Sequence, residues 1–90
     1  MRFEYDKLKS ISNRKKHGID FEEAQELWNG TVADLLSKFK EEPRRLIIGQ
    51  LNAKFWTAII TERGDSIRII SLRRARDEER RLYEEITKNQ

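Results

Sequence analysis

The chain has no cysteine, one proline, one histidine and four glycines in 90 residues. Without cysteine there are no disulfides, so packing alone must hold the fold, as suits a reducing compartment. A single histidine and no thiol exclude a zinc site of ordinary ligand spacing. No apolar run approaches the length that crosses a bilayer, and the first residues lack the apolar centre of a secretion signal, so a cytoplasmic protein is expected. Scarce proline and glycine, together with patterned apolar residues, exclude a disordered or low-complexity chain. The expected organisation is one domain over residues 1–90, because a chain this short cannot fill a second core.

Charge is what the sequence has in excess. Charged residues make up 39% of the chain and hydrophobic ones 37%, so the core must be economical. Phe3, Tyr5, Phe21, Trp28, Phe39, Phe55, Trp56 and Tyr83 are expected to supply much of its volume. The charge is also unevenly spread. Residues 7–17 hold five cations and no acid, and residues 63–76 hold five arginines against the single acid Asp65. These blocks are +5 and +4 in a chain of net +3, so the remainder is net −6. Two basic segments in an otherwise acidic protein attract a polyanion, provided the fold brings them together. Arg63, Arg68, Arg73, Arg74 and Arg76 surround an apolar strand (Ile67, Ile69, Ile70, Leu72), where branched residues are the usual choice. Guanidinium grips phosphate through two parallel hydrogen bonds and keeps its charge. The plainer reading is a solvated strand-and-helix surface, and the stretch alone leaves both open.

The pattern of elements predicts an α+β fold. Arg2–Tyr5 alternates as a short strand. Asp6 is placed to cap a helix from Lys7 to about Lys16, with Leu8 and Ile11 as its strong apolar anchors and Gly18 as its left-handed stop. Asp20 and Glu23 form a capping box for a second helix, whose Phe21, Ala24, Leu27 and Trp28 share one face until Asn29-Gly30. Four strands are expected over about Thr31–Phe39, Arg44–Leu51, Lys54–Glu62 and Ser66–Arg73, although Val32-Ala33-Asp34-Leu35-Leu36 in the first also reads as helix. Turns are expected at Glu41-Glu42-Pro43, Leu51-Asn52-Ala53 and Arg63-Gly64-Asp65. A last helix runs from Ala75 to about Lys88, with Ala75, Leu82 and Ile86 on its apolar face. The expected architecture is an antiparallel sheet of four to five strands, two N-terminal helices and one C-terminal helix, the helices packed mainly on one face.

Several runs resemble the BrnT family of toxins. Phe3-Glu4-Tyr5-Asp6, Lys9, Asn13 and Lys16-His17-Gly18-Ile19-Asp20-Phe21-Glu22-Glu23-Ala24 resemble its N-terminal signature. Arg45-Leu46-Ile47-Ile48-Gly49 and Thr61-Glu62-Arg63 resemble its middle strands. Arg68-Ile69-Ile70-Ser71, Arg73, Ala75, Glu79-Arg80 and Tyr83 resemble its closing motif. The pieces fall in the right order over nearly the whole chain. The resemblance implies a small RelE-like domain, the toxin of a bacterial type II toxin–antitoxin module. It implies an endoribonuclease that needs no metal or other cofactor and stops translation. The implied partner is a small BrnA-like antitoxin with a DNA-binding ribbon-helix-helix domain, and the complex of the two represses its own operon by binding operator DNA.

Metal-free RNA cleavage requires a base for the attacking 2′-hydroxyl, cations for the phosphorane and an acid for the leaving oxygen. Arg63, Arg68, Arg73 and Arg76 are the candidate cations; the plainer reading pairs some of them with Glu62, Asp65, Asp77 or Glu79. Histidine is the only side-chain type whose unperturbed pKa suits proton transfer near neutrality, which makes His17 a candidate base or acid. A helix end is also an ordinary place for histidine to meet a carbonyl or the helix dipole. Glu62 is the alternative base. Chemistry therefore places Arg63, Arg68, Glu62 and His17 in the catalytic set, and Lys16, Arg73, Arg76, Arg80 and Tyr83 in the RNA-binding set. Arg76, Arg80 and Tyr83 share one face of the last helix, where Tyr83 can stack on a base or complete the core. Asn13 and Lys16, three apart on the first helix, can touch RNA or solvent. A non-catalytic nucleic-acid binder, or a module that docks an acidic protein segment, would use the same basic residues.

Overall fold

The computed structural model describes residues 2–37 and 43–88. Its elements are β1 (Arg2–Tyr5), α1 (Lys7–His17), α2 (Phe21–Ala24) continued by a 3-10 segment (Gln25–Asn29), β2 (Val32–Leu36), β3 (Arg45–Leu51), β4 (Lys54–Arg63), β5 (Ser66–Arg74) and α3 (Asp77–Thr87). The five strands form one sheet in the order β1-β5-β4-β3-β2. Strands β2 to β5 are an antiparallel meander, as expected from their short connections. β1, however, runs parallel to β5, with Phe3 opposite Ile67 and Tyr5 opposite Ile69. The sheet is therefore mixed, because the chain returns to its first strand only after the whole meander. The expected strand end at Phe39 and the turn at Glu41-Glu42 lie outside the described residues.

The helices occupy both faces of the sheet rather than mainly one. Successive residues of a strand point to opposite faces. Trp56, Ala58 and Ile60 of β4 join Ile69 and Leu72 of β5 in a buried cluster with Ile19, Phe21, Ala24 and Leu27. Phe55 and Thr57, on the opposite face, meet Tyr83 and Glu79 of α3. Branched aliphatics dominate the buried set, and the aromatics split between roles. Phe21 and Trp56 are buried, Phe3, Tyr5 and Trp28 pack against the core, and Phe55 pairs with Tyr83. Phe39 is outside the described residues. No helix among the described residues is long and apolar enough to cross a membrane.

Helix α1 inverts the expected polarity. Asp6 caps it by accepting from the Leu8 and Lys9 N–H groups, and Gly18 ends it at φ 78. Yet Leu8 is 77% exposed and Ile11 54%, so the predicted anchors point away from the protein. The buried residues are Ser10 and Asn13. Asn13 donates to the Ile19 carbonyl at 2.9 Å and accepts from the Leu72 N–H at 3.4 Å, while Ser10 accepts from the Phe21 N–H at 2.9 Å. Backbone groups of β5 and of the turn before α2 thus find partners on α1, so the helix docks through hydrogen bonds rather than an apolar stripe.

The predicted capping box of α2 is present, but only four residues are α-helical before the chain tightens into 3-10 geometry. α3 begins two residues later than predicted, at Asp77, with Arg76 as its N-cap. Of its predicted apolar face, Leu82 is 45% exposed and Ile86 38%, and Ala75 precedes the helix.

The β3–β4 turn carries an unusual residue. Asn52 and Ala53 have φ of 54 and 63, the two positive values of a type I′ hairpin turn, whose second position normally takes glycine. Ala53→Gly is therefore expected to stabilise the protein by about 0.5–1 kcal/mol, raising Tm by roughly 2–6 °C; an unchanged or lower Tm would show that the turn is unstrained. Asn13→Ala leaves the Ile19 carbonyl and the Leu72 N–H unpaired, and is expected to cost about 2–4 kcal/mol in urea unfolding.

Candidate active site

β1 pairs only with Ser66–Ile69, so β5 continues past it with an open edge. α1 fills the space beside that edge. Between them lies a cleft of about 270 Å³ lined by Lys9, Ser12, Asn13, Lys16 and His17 of α1, Phe21, and Ile70 to Arg73 of β5. The α1 wall follows from spacing: Lys9, Ser12, Asn13 and Lys16 stand at i, i+3, i+4 and i+7, one face of a helix. The β5 wall contains a bulge. Ile59 pairs with Ser71 and Ile60 with Ile69, which leaves Ile70 as the extra residue. Such a bulge bends a strand and re-aims its side chains. The two basic blocks of the sequence therefore meet here. Lys9, Lys16 and Arg73 contribute three cations, His17 lines the cleft beside them, and among the described residues no acid lines it.

Arg73 is fixed from the α3 side. Its Nη1 and Nη2 donate to the two Glu79 carboxylate oxygens at 2.7 and 2.8 Å. The same carboxylate accepts from the Thr57 hydroxyl at 3.0 Å and from the Arg76 N–H at 2.8 Å. Glu79 is 7% exposed and Thr57 fully buried. Burial pushes the Glu79 carboxyl up, but the Arg73 side-chain bonds, the Arg76 N–H, the Arg73 charge and the Thr57 hydroxyl outweigh it. Together they lower its pKa from 4.5 to about 2.

The residues singled out from sequence fall into three places. His17, Lys16 and Arg73 come together in the cleft. Glu62, Arg63 and Arg68 lie at the other end of the β4–β5 hairpin. There Glu62 approaches Arg45 at 3.7 Å, Arg68 approaches Glu4 at 3.7 Å, and Arg63 faces Ser66 across the ladder. Along β5, Arg68 and Arg73 are separated by roughly 15 Å, so the expected catalytic set is not assembled around His17. The third place is α3. Arg80 lies over the Phe55 ring at 4.7 Å, and the Tyr83 ring meets the same Phe55 edge-on at 5.3 Å. The Tyr83 hydroxyl points to the Thr31 carbonyl at 3.4 Å. Arg76 caps α3 and is exposed.

Chemistry-based reading left Lys9, Ser12, Ser71 and Thr57 out of this region; Glu79 entered it only as an ion-pair partner for one of the arginines, and it pairs with Arg73. The polar stripe of α1 was visible as spacing. Thr57 carried no signal before the strand register was known.

The chain matches the family model for the ribonuclease toxin BrnT of type II toxin–antitoxin systems over residues 5–79, and it belongs to that family. The family implies a ribonuclease, an RNA substrate and a cognate antitoxin. No curated protein matches the chain.

Because the Glu79 pKa is lowered, its stabilisation is complete above about pH 4.5 and is lost as pH falls toward 2. Breaking the pair with Glu79→Gln is expected to cost about 2–4 kcal/mol near neutrality. Melting curves of wild type and variant should differ most near neutral pH and converge on acidification. Parallel Tm-against-pH profiles would contradict the network.

Proposed function

We propose that the α1–β5 cleft holds the scissile phosphodiester of RNA, and that this chain cleaves RNA there without a metal and so arrests translation. The observation that supports this is the meeting of the two basic blocks in one concave site that a histidine also lines. Lys9, Lys16 and Arg73 neutralise the phosphate oxygens as charge builds in the phosphorane. His17 moves the proton, taking it from the 2′-hydroxyl or returning it to the leaving 5′-oxygen. Ser12 and Ser71 offer hydroxyls to the ribose and phosphate. The 2′-hydroxyl requirement makes RNA rather than DNA the substrate.

On this reading Glu62, Arg63 and Arg68 lie too far along the hairpin to act at the same phosphate, and Arg63 and Arg68 contact RNA beyond the cut. Arg76, Arg80 and Tyr83 form a flanking surface for RNA or for the antitoxin. The partner in this reading is a small ribbon-helix-helix antitoxin, which closes the basic cleft and carries the complex to operator DNA.

Induced expression of the wild type should halt growth, and mapped RNA 5′ ends should show new cuts. Purified protein should cut RNA in EDTA. His17→Ala should slow cutting about 100-fold with RNA binding retained, and Arg73→Ala by about 100-fold or more. Cleavage that disappears in EDTA would contradict the metal-free mechanism. RNA binding without cutting by the wild type would favour a non-catalytic binder.

A further inference from the structure

Arg73 uses only half of its guanidinium inside the protein. The end edge, formed by Nη1 and Nη2, is taken by Glu79 at 2.7 and 2.8 Å, and Nη1 also approaches the Arg74 carbonyl at 3.4 Å. The side edge, Nε–H and the second Nη2–H, has no protein partner among the described residues. Side edges of this kind bind phosphate through two parallel bonds. The carboxylate that holds Arg73 is itself held: the Thr57 hydroxyl and the Arg76 N–H both donate to Oε1, in a setting where Thr57 is fully buried. Glu79 is therefore held by partners other than Arg73.

We propose that Glu79, backed by Thr57, is a positioning residue for RNA cleavage: it locks the Arg73 guanidinium so that the side edge faces the phosphate in the cleft. This rests on the cleft being the RNA site. A purely structural ion pair tying α3 to the sheet has no need of an arginine that also lines a cleft and keeps a quarter of its side chain exposed. The arrangement also has a distinctive electrostatic consequence. A carboxylate beside Arg73 weakens long-range attraction for RNA, so it opposes binding while fixing geometry. Removing its charge separates the two effects.

The test compares wild type, Glu79→Gln, Thr57→Val and Arg73→Ala on a mixed-sequence single-stranded RNA oligonucleotide. Its 2′-O-methyl copy, which lacks the attacking hydroxyl, reports binding alone. Per folded molecule and at saturating RNA, Glu79→Gln is expected to cut about tenfold more slowly or worse, while binding the 2′-O-methyl copy as tightly as wild type or more tightly. Thr57→Val, which keeps the carboxylate and loses one of its anchors, is expected to show a smaller loss in the same direction. It carries the test if Glu79→Gln does not fold. A structural role would lower Tm but leave the rate per folded molecule unchanged, and that result in either folded variant overturns the proposal. If Arg73→Ala itself cuts like wild type, the cleft reading has failed instead. A readout independent of cutting is the Arg73 Nε–H nuclear magnetic resonance signal. It is expected to be sharp in wild type, to shift when the 2′-O-methyl RNA is added, and to broaden in Glu79→Gln. Equal sharpness and equal shift in both proteins would overturn the positioning role.

Discussion

The side-chain amide of Asn13 holds the parts of this molecule in register. It bonds a carbonyl six residues ahead and an N–H fifty-nine residues ahead, so one buried group joins α1, the turn into α2 and the open edge of β5. Each of those backbone groups would otherwise be buried without a partner, at a cost of about 1–3 kcal/mol apiece. Among the described residues no buried side-chain nitrogen or oxygen lacks a hydrogen bond. The cleft exists because this bond and the Ser10–Phe21 bond place a polar helix beside a strand edge, where an apolar stripe would have closed onto it.

The same choice explains the charge distribution. A helix docked by two small polar residues can turn lysines toward the protein, at the edge of a cleft, and leave Leu8 and Ile11 in solvent. On the other side of β5, Glu79 and Thr57 hold Arg73 from the opposite face of the sheet. One wall of the cleft is thus positioned by α1 and the other by α3, and β5 is the element both depend on. Its bulge at Ile70 accommodates the change of neighbour, from β1 before it to α1 after it.

Much of the fold was legible because local signals agreed with tertiary packing. The Asp6 and Asp20 caps, the Gly18 stop and strands β3 to β5 follow from residue types whose backbone preferences the structure uses, whereas Val32–Leu36 reads as strand or helix until its pairing with β3 decides it. The parallel β1–β5 pairing was not legible, since alternation in Phe3 and Tyr5 marks a strand without naming its neighbour. The exposure of Leu8 and Ile11 was misread for a related reason: periodicity identifies a helix face, and only the partner decides which face is buried. At the site, His17, Lys16 and Arg73 could be named from charge and chemistry. Their separation from Arg63, Arg68 and Glu62 could not, because all four arginines from 63 to 76 that were weighed as catalytic lie in one sequence block, while the hairpin spreads them along its length.

The central claim is that RNA lies between α1 and the open edge of β5. Backbone amide shifts on titration with a non-cleavable 2′-O-methyl RNA test it most directly. The account predicts that the largest shifts fall on both walls, across Lys9 to His17 and Ile70 to Arg73, with smaller ones around Arg63 and Arg68, where the RNA continues beyond the cut. Shifts confined to the hairpin end around Arg63 and Arg68, with both cleft walls silent, would contradict it.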